Sequence, residues 1–379
     1  MNTPASDQFT PISLDAAYNA RRADLPAALR TPAHVADRYG VQQFRGMPFL
    51  LGSENAPNVI HLHDQSVTVP ADDVTATYFL FLHTAEDIVT VYQEGFADTW
   101  VDGNELGAVV SDYIIEYADG KRLPAPILRR FAIQQSRIQW GASPAAAIPA
   151  QDDLVTMSLS EEYSLGRMPA VDYGHGETRN RSGRDRMSEH LWLYALPNPR
   201  PDKPVRSLVL QPRGGASAVY AISSTKLHDH PLRPGLRRKL RLTLPEGVGL
   251  NALGELDDIA VDLGHVISAR AVLDYDPVQW ADPHAVIQPV RSTTDVVVEY
   301  AAHPAAKLYV GIGGDSHACY DLGQDEAAGI SAIAPAERPV TLRIVDKTSG
   351  RPVAARLHIH GAAGEYLPPR GRHRKVNSY

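Results

Sequence analysis

The chain has 379 residues, of which 44% are hydrophobic and 21% charged, and this balance excludes a long disordered chain or a fibrous repeat. Its formal net charge of −7 argues against a general nucleic-acid binder, which normally carries a strongly basic face. A single cysteine, Cys319, excludes an intrachain disulfide framework and a zinc site built on several thiolates.

The first residues lack the apolar core of a signal peptide, and no stretch approaches the roughly 20 apolar residues that a membrane span needs. We therefore expect a soluble, cytoplasmic protein with two or three domains. Residues 1–45 are predicted to form an N-terminal arm with short helices, because Pro26 and Pro32 interrupt the loose helical spacing of alanine, leucine and arginine.

Residues 46–227 carry the pattern of a β-sandwich, since short runs of β-branched and aromatic residues alternate with proline and glycine. Five consecutive large residues, Tyr78 to Leu82, precede His83, which predicts a strand buried on both faces. One hairpin is predicted at Asp119-Gly120. A second hairpin is predicted from a strand at 206–211, a turn of two glycines and a strand at 217–222.

Residues 228–335 are predicted to form a second β domain, in which the run 239–244 alternates between apolar and polar side chains. Residues 336–379 are predicted to be the opening hairpin of an Ig-like module, with a turn at Ser349-Gly350. Two strands alone are marginal in water. Either this hairpin completes the preceding sheet, or the module is truncated and the chain is the front part of a longer protein.

Three His-x-His pairs are candidates for metal chelation, because alternate residues of a strand point to the same face. The pairs are His61 with His63, His228 with His230, and His358 with His360. This spacing is frequent by chance in a chain with 15 histidines. We favour the alternative that they are exposed or locally hydrogen-bonded strand residues.

The string from Gly313 to Asp321 combines aspartate, serine, histidine and cysteine, which suggests nucleophilic hydrolysis. Adjacent side chains rarely have the geometry of a triad, however, and no Gly-x-Ser-x-Gly motif surrounds Ser316. We favour a polar interdomain loop for this string. The polar stretch 172–189, with three glycines and four arginines, is predicted to be a long inserted loop, and such loops are usually functional or mobile.

Other chemistry leaves little signal in the sequence. No carboxylate pair stands out as a glycosidase acid and base, and no phosphate loop or dinucleotide fingerprint is present. The basic runs 233–241 and 370–375 fit a solvated face and an exposed tail better than a nucleic-acid groove. The four tryptophans could form a sugar-stacking platform, although tryptophan among strands more often belongs to the core.

Several strings nevertheless resemble a known family. The run 340–358 (VTLRIVDKTSGRPVAARLH) resembles the opening hairpin of a carboxypeptidase-regulatory-like β-sandwich. The runs 364–369 and 375–377 are similar to the region ahead of the catalytic part in CehA/McbA (carbaryl-hydrolase-like) metallohydrolases of the PHP superfamily. Upstream, the runs 81–85 and 113–120 look like the galactose-binding-like sandwiches appended to many large hydrolases.

The resemblance implies an all-β, mainly antiparallel fold: a jelly-roll or galactose-binding-like sandwich, a second β unit and the start of an Ig-like module. The family's catalytic domain opens with an Asp-x-His-x-His metal motif. Here His61-Leu-His63 lacks the preceding aspartate, and His358-Ile-His360 precedes the place where that motif would begin. No catalytic, cofactor-binding or metal-binding residue is therefore carried over, and a divalent metal is expected only in the missing catalytic domain.

These observations favour a non-catalytic accessory region of a larger metal-dependent hydrolase, which shapes the substrate pocket or the assembly. A self-contained carbohydrate-binding or carbohydrate-processing β protein is the alternative, and an enzyme with a metal site drawn from the histidines is the third hypothesis. The expected partner is a small-molecule or carbohydrate substrate, with neither nucleic acid nor membrane. Self-association into a homo-oligomer is left open.

Overall fold

The computed structural model describes residues 3–29, 31–88, 106–137, 144–150, 189–274, 276, 278, 289–323, 326–327, 329–334, 340–354, 359 and 361. The chain divides into two compact units. The sandwich unit comprises residues 3–234 with 303–305, and the C-terminal unit comprises 235–302 with the residues from 306 onward. Residues 3–45, predicted as an arm, thus belong to the same unit as the sandwich strands.

Two antiparallel sheets build the sandwich unit. The first contains, in spatial order, β1 (Phe9–Ile12), β12 (Ser217–Thr225), β6 (Tyr78–Ala85), β10 (Trp192–Pro197) and β9 (Ala147–Pro149), and β4 (Ile60–Leu62) also pairs with β12. The second contains β5 (Val67–Val74), β11 (Val205–Pro212), β7 (Val109–Tyr117) and β8 (Arg122–Leu128). A separate hairpin joins β2 (Gly40–Phe44) to β3 (Met47–Leu51).

The hydrophobic core of this unit is built by side chains from both sheets. Phe79 and Phe81 of β6 meet Tyr113 of β7 and Leu208 of β11 in one buried cluster. Burying one such side chain stabilises the fold by about 1.5–3 kcal/mol. The prediction of an all-β, mainly antiparallel fold is confirmed. The predicted buried strand around His83 is confirmed as well, since it is β6, which is buried from Phe79 to Ala85.

The hairpin predicted at Asp119-Gly120 is confirmed, since β7 and β8 pair on either side of that turn. Gly120 has φ +82°, a left-handed conformation that glycine adopts without steric cost. Strand β8 is an outer strand of its sheet, and its Pro124 and Pro126 are exposed. Proline suits an edge strand because it offers no N–H to a further strand.

The second predicted hairpin is wrong. Strand β11 pairs with β5 and β7 in one sheet, whereas β12 pairs with β1, β4 and β6 in the other. The segment between Pro212 and Ser217 therefore crosses from sheet to sheet. Each strand already has a neighbour on both edges, so neither edge is left for pairing β11 with β12. A Gly-Gly pair indicates only that the chain turns. It does not distinguish a hairpin within one sheet from a connection between two sheets.

The short helices predicted before residue 45 are confirmed. Two 3-10 turns span Arg22–Asp24 and Ala27–Leu29, and helix α1 spans Ala33–Ala36. Pro26 precedes the second turn and Pro32 is the N-cap of α1, so each proline begins an element and limits the preceding one. Within the described ranges, no helix has the length and apolar character needed to cross a bilayer.

The C-terminal unit is also antiparallel. Its five-stranded sheet has the order β15 (Gly264–Asp274), β16 (Val290–Ala302), β13 (Arg238–Thr243), β20 (Ile330–Ile333) and β19 (Glu326–Ala327). Its three-stranded sheet has the order β14 (Ile259–Val261), β17 (Lys307–Gly313) and β18 (Ser316–Asp321). The alternation predicted at 239–244 is confirmed, because Leu240 and Leu242 are buried while Lys239 and Arg241 are partly exposed and Thr243 is exposed.

The last predicted hairpin is described only in part. Val345 bridges Pro352, and the carboxylate of Asp346 accepts hydrogen bonds from the backbone N–H groups of Thr348 and Ser349 in the turn between them. Most of the second predicted strand lies outside the described residues.

Candidate functional site

A cavity of about 480 Å³ opens in the sandwich unit, within the size range of small-ligand sites. It lies among the short helices of the N-terminal segment and the loop ahead of β4. Among the described residues, its charged and polar lining consists of Arg21, Arg22, Thr31, Asp37, Tyr39, Glu54 and Asn58. We call this space the Arg22 cavity.

A short backbone pairing positions Arg22 in the cavity wall. Ala20 and Val59 form an isolated antiparallel bridge. Directly beside it, the backbone N–H of Arg22 donates to Oδ1 of Asn58 at 2.9 Å. The Nδ2 of Asn58 donates to the Ser53 carbonyl at 2.9 Å, so two hydrogen bonds fix this amide. The Arg22 side chain is only 7% exposed.

The Arg22 guanidinium contacts the carbonyl groups at the end of helix α1. Its Nη1 donates to the carbonyl of Val35 at 3.1 Å and to the carbonyl of Arg38 at 2.7 Å. Carbonyls at a helix C-terminus lack intrahelical partners and attract cations. The buried Nε and Nη2 atoms have no hydrogen-bond acceptor in the part of the chain that the structure describes.

Two tyrosine rings flank the same guanidinium. Its Cζ lies 5.1 Å from the ring centroid of Tyr39 and 5.8 Å from that of Tyr220. Such cation–π contacts contribute about 0.5–2 kcal/mol each. The Tyr18 hydroxyl donates to the Tyr220 carbonyl at 3.0 Å, and the Thr31 hydroxyl lies 3.0 Å from the Tyr220 hydroxyl, so strand β12 holds this ring in place.

The charge of Arg22 is compensated by dipoles and rings alone, since none of the described carboxylates forms an ion pair with it. Burial lowers the pKa of Arg22, while the three neighbouring tyrosines oppose that shift. Taking an ion out of water costs several kcal/mol, and two carbonyls recover only part of that cost. An acidic group in the cavity would complete the compensation through charge-assisted hydrogen bonds.

The histidines of the predicted His61 and His63 pair lie together, but the described part of the chain offers no third ligand to complete a metal site. The two ring centroids are 6.1 Å apart, and Nδ1 of His63 lies 2.7 Å from the Asp64 carboxylate. Burial lowers the pKa of His61, and the neighbouring His63 lowers it further. No group of three or more histidine, cysteine or acidic side chains among the described residues could hold a metal ion.

The second histidine pair makes local contacts. Nδ1 of His230 accepts the backbone N–H of Leu232 at 3.3 Å, and its ring packs on Tyr78 with centroids 5.5 Å apart. Burial lowers the pKa of His230. Its partner His228 is exposed. The third pair, at positions 358 and 360, falls outside the described residues.

The string from Gly313 to Asp321 forms a hairpin, so its prediction as a polar interdomain loop is wrong. Strand β17 turns at Gly313 and Gly314, whose φ angles are +112° and +56°, into strand β18. Because adjacent strand residues point to opposite faces, Ser316 and His317 are not brought together as a catalytic pair. The His317 ring instead packs edge-on against Tyr309 of β17, with centroids 5.2 Å apart.

The one described tryptophan, Trp192, belongs to the core. It is fully buried, and its Nε1 donates to the Gln135 carbonyl at 2.9 Å, so this ring is not available to stack on a sugar. The other three tryptophans and residues 172–188 of the predicted loop lie outside the described ranges. The carbohydrate alternative therefore stays a prediction.

The Arg22 cavity was missed by sequence reasoning. Arg22 stands in a segment whose alanine, leucine and arginine spacing is typical of an exposed arm, and its neighbour Tyr220 lies far along the chain. The one local signal is the pair Arg21-Arg22 between Tyr18 and Tyr39.

No family model, curated protein or solved structure matches this chain. The likeness to the CehA/McbA metallohydrolases therefore rests on the sequence strings alone and stays a prediction.

Proposed function

We propose that this chain is a non-catalytic substrate-recognition region of a larger metal-dependent hydrolase of the CehA/McbA type. The observation that carries the proposal is the buried Arg22 guanidinium, which lines a cavity and has no carboxylate partner among the described residues. A guanidinium stays protonated at physiological pH, so it binds and orients anions rather than transferring protons. The β-sandwich and the strings at 81–85, 113–120 and 340–358 support the same proposal.

Recognition would proceed by exchange of solvent for an acidic group of the substrate. The apolar part of the cavity wall lowers the local dielectric constant, which strengthens the attraction between a carboxylate and Arg22. The bonds from Nη1 to the end of helix α1 and the bond from the backbone to Asn58 fix Arg22 before the ligand arrives. Less ordering is then needed on binding. A divalent metal would be supplied by the catalytic domain, and this chain would hold the substrate.

The recognition role is tested with 4-methylpentanoate, an aliphatic carboxylate, by isothermal titration calorimetry. Arg22→Gln should weaken binding at least about tenfold, because a charge-assisted hydrogen bond is lost. The matched control is Arg213→Gln, whose arginine is exposed and bonds to Asp112 away from the cavity. Asn58→Asp is the second variant, since it retains an acceptor for the Arg22 N–H while adding a repulsive charge to the wall. Unchanged affinity in both cavity variants would contradict the proposal.

The accessory role has its own test, the size of the native polypeptide in its source cells by immunoblot. A band far above 41.3 kDa supports a chain that serves a larger hydrolase. A band at 41.3 kDa, or tight zinc at one equivalent per chain together with ester hydrolysis, contradicts it.

A further inference from the structure

We infer that the ligand of the Arg22 cavity is a small zwitterion with one carboxylate and one ammonium group, such as an aliphatic α-amino acid. The inference rests on the proposed function, because it assigns a ligand class to the same cavity. It starts from the four charged side chains of the lining, which are Arg21, Arg22, Asp37 and Glu54.

These four side chains do not neutralise one another. Among the described residues, Arg22 donates only to backbone carbonyls. Arg21, Asp37 and Glu54 are exposed, and no side-chain hydrogen bond or ion pair involves them within the described ranges. Two positive and two negative groups thus line one cavity without forming ion pairs with each other. Both the positive and the negative groups can therefore bind charged groups of a ligand.

The net charge of the lining determines which net charge of a ligand it attracts. Among the described lining residues, two arginines and two carboxylates sum to zero, so these side chains offer little net attraction to a polyanion such as inorganic phosphate. A zwitterion has the complementary distribution, because its carboxylate matches the arginines while its ammonium matches Asp37 and Glu54. A lining with both signs of charge also disfavours the singly charged analogues, which leave groups of one sign unsatisfied.

The remaining wall favours an aliphatic ligand body. Leu25, Pro26 and Ala36 line the cavity together with two further alanines. Covering these groups with an apolar side chain contributes about 25 cal/mol per Å² of surface removed from water. A branched aliphatic amino acid combines this body with the two charges.

The test compares three probes of nearly equal shape by isothermal titration calorimetry on the full chain. L-Leucine carries both charges, 4-methylpentanoate carries only the carboxylate, and 3-methylbutylamine carries only the ammonium. We expect L-leucine to bind at least about tenfold more tightly than either analogue, as each missing ion pair in a partly desolvated site costs about 1.5 kcal/mol or more.

Two variants then test which side chains contact the ammonium group of L-leucine. Asp37→Asn and Glu54→Gln alter exposed side chains, so the fold should be retained. Each should weaken binding of L-leucine, whereas binding of the 4-methylpentanoate anion should be unchanged or tighter, because a repulsive carboxylate is removed. The control is Asp24→Asn, which removes an exposed carboxylate of the neighbouring 3-10 turn that does not line the cavity.

The outcomes separate this inference from the proposed function. Equal affinities for L-leucine and 4-methylpentanoate, both dependent on Arg22, overturn the zwitterion and leave the recognition role standing. Absence of binding by all three probes overturns both. Binding of 3-methylbutylamine as tightly as L-leucine also overturns both, because Arg22 would then take no part.

Discussion

Nδ1 of His83 lies 2.9 Å from the hydroxyl of Tyr113, and both side chains are wholly buried in the sandwich core. Nε2 of the same ring lies 3.0 Å from the Ala132 carbonyl. Because a carbonyl only accepts, we assign the ring proton to Nε2, and Nδ1 accepts from Tyr113. Burial lowers the pKa of His83 to about 3, so the ring is neutral at pH 7. This histidine is a satisfied core group.

Acidification should therefore destabilise the sandwich unit. His83 has a pKa of about 3 when folded and about 6.5 when unfolded, so the unfolded state binds more protons between these values. The contribution is fully present above pH 6.5 and is lost as the pH falls, by up to about 1.4 kcal/mol per pH unit. In urea denaturation, His83→Gln should reduce the slope of unfolding free energy against pH between 6.5 and 4.

The control for this experiment is His228→Gln, because His228 is exposed and no hydrogen bond or ion pair involves it within the described ranges. Its slope should exceed that of His83→Gln. His34, whose pKa burial lowers to about 4, remains in both variants, as do His61 and His230, and all three contribute to the residual slope. A slope that His83→Gln leaves unchanged would contradict the assigned neutral ring.

Two buried tyrosines should differ in what their hydroxyl groups contribute. Tyr113→Phe leaves Nδ1 of His83 buried without a donor, which costs about 1–3 kcal/mol. Tyr117→Phe should cost less, since Oδ1 of Asn198 still accepts the backbone N–H of Arg200 at 3.0 Å. Urea denaturation at pH 7 measures both, and equal losses would argue against this account of acceptor satisfaction.

A methyl group at Gly52 should disturb the wall of the Arg22 cavity. A Cβ there would lie 2.7 Å from Cα of Asn58 and 2.8 Å from Cε2 of Tyr18. Gly52→Ala should destabilise the protein by about 1–3 kcal/mol through overpacking and should weaken binding of 4-methylpentanoate. Gly249→Ala is the control, because its Cβ meets nothing within 4 Å, and it should change stability by less than about 0.5 kcal/mol.

The prolines of edge strand β8 should limit self-association. Pro124→Val together with Pro126→Val restores N–H groups on an exposed outer strand, which is a template for pairing with another chain. We expect a concentration-dependent rise in apparent mass by light scattering. The control is Ser66→Val on the exposed segment before β5, which adds a β-branched residue without a new N–H. No rise in the double variant would show that the prolines do not protect this edge.

Local signals were enough to predict much of the fold. The apolar run before His83 strongly favours a buried strand, and the Asp119-Gly120 turn strongly favours a hairpin. Both were predicted correctly. The crossing between β11 and β12 was not, because the choice of sheet depends on which strands occupy the edges of each one. That information lies in β1, β5, β6 and β7, far from the turn itself.

The candidate site could not be predicted from local sequence patterns. Arg22 is positioned by the bridge from nearby Ala20 to Val59 and is flanked by the ring of Tyr220, and both Val59 and Tyr220 are far from Arg22 in sequence. Histidine spacing, by contrast, is easy to see but is a weak signal, since His61 and His63 join no group of three or more possible metal ligands among the described residues. A lone arginine in an alanine-rich segment carries no pattern that separates a buried residue from an exposed one.

The pairing of β1 with β12 has a consequence for synthesis of the chain. Phe9 lies opposite Thr225, whose hydroxyl donates to the Gln8 carbonyl at 2.8 Å. On the ribosome, the first strand emerges long before its partner is translated, and it stays without that partner until β12 has left the exit tunnel. Tyr220 lies in β12 too, so Arg22 is without one of its two flanking rings during the same interval. A nascent chain therefore completes the surroundings of the Arg22 guanidinium only after Tyr220 has been made.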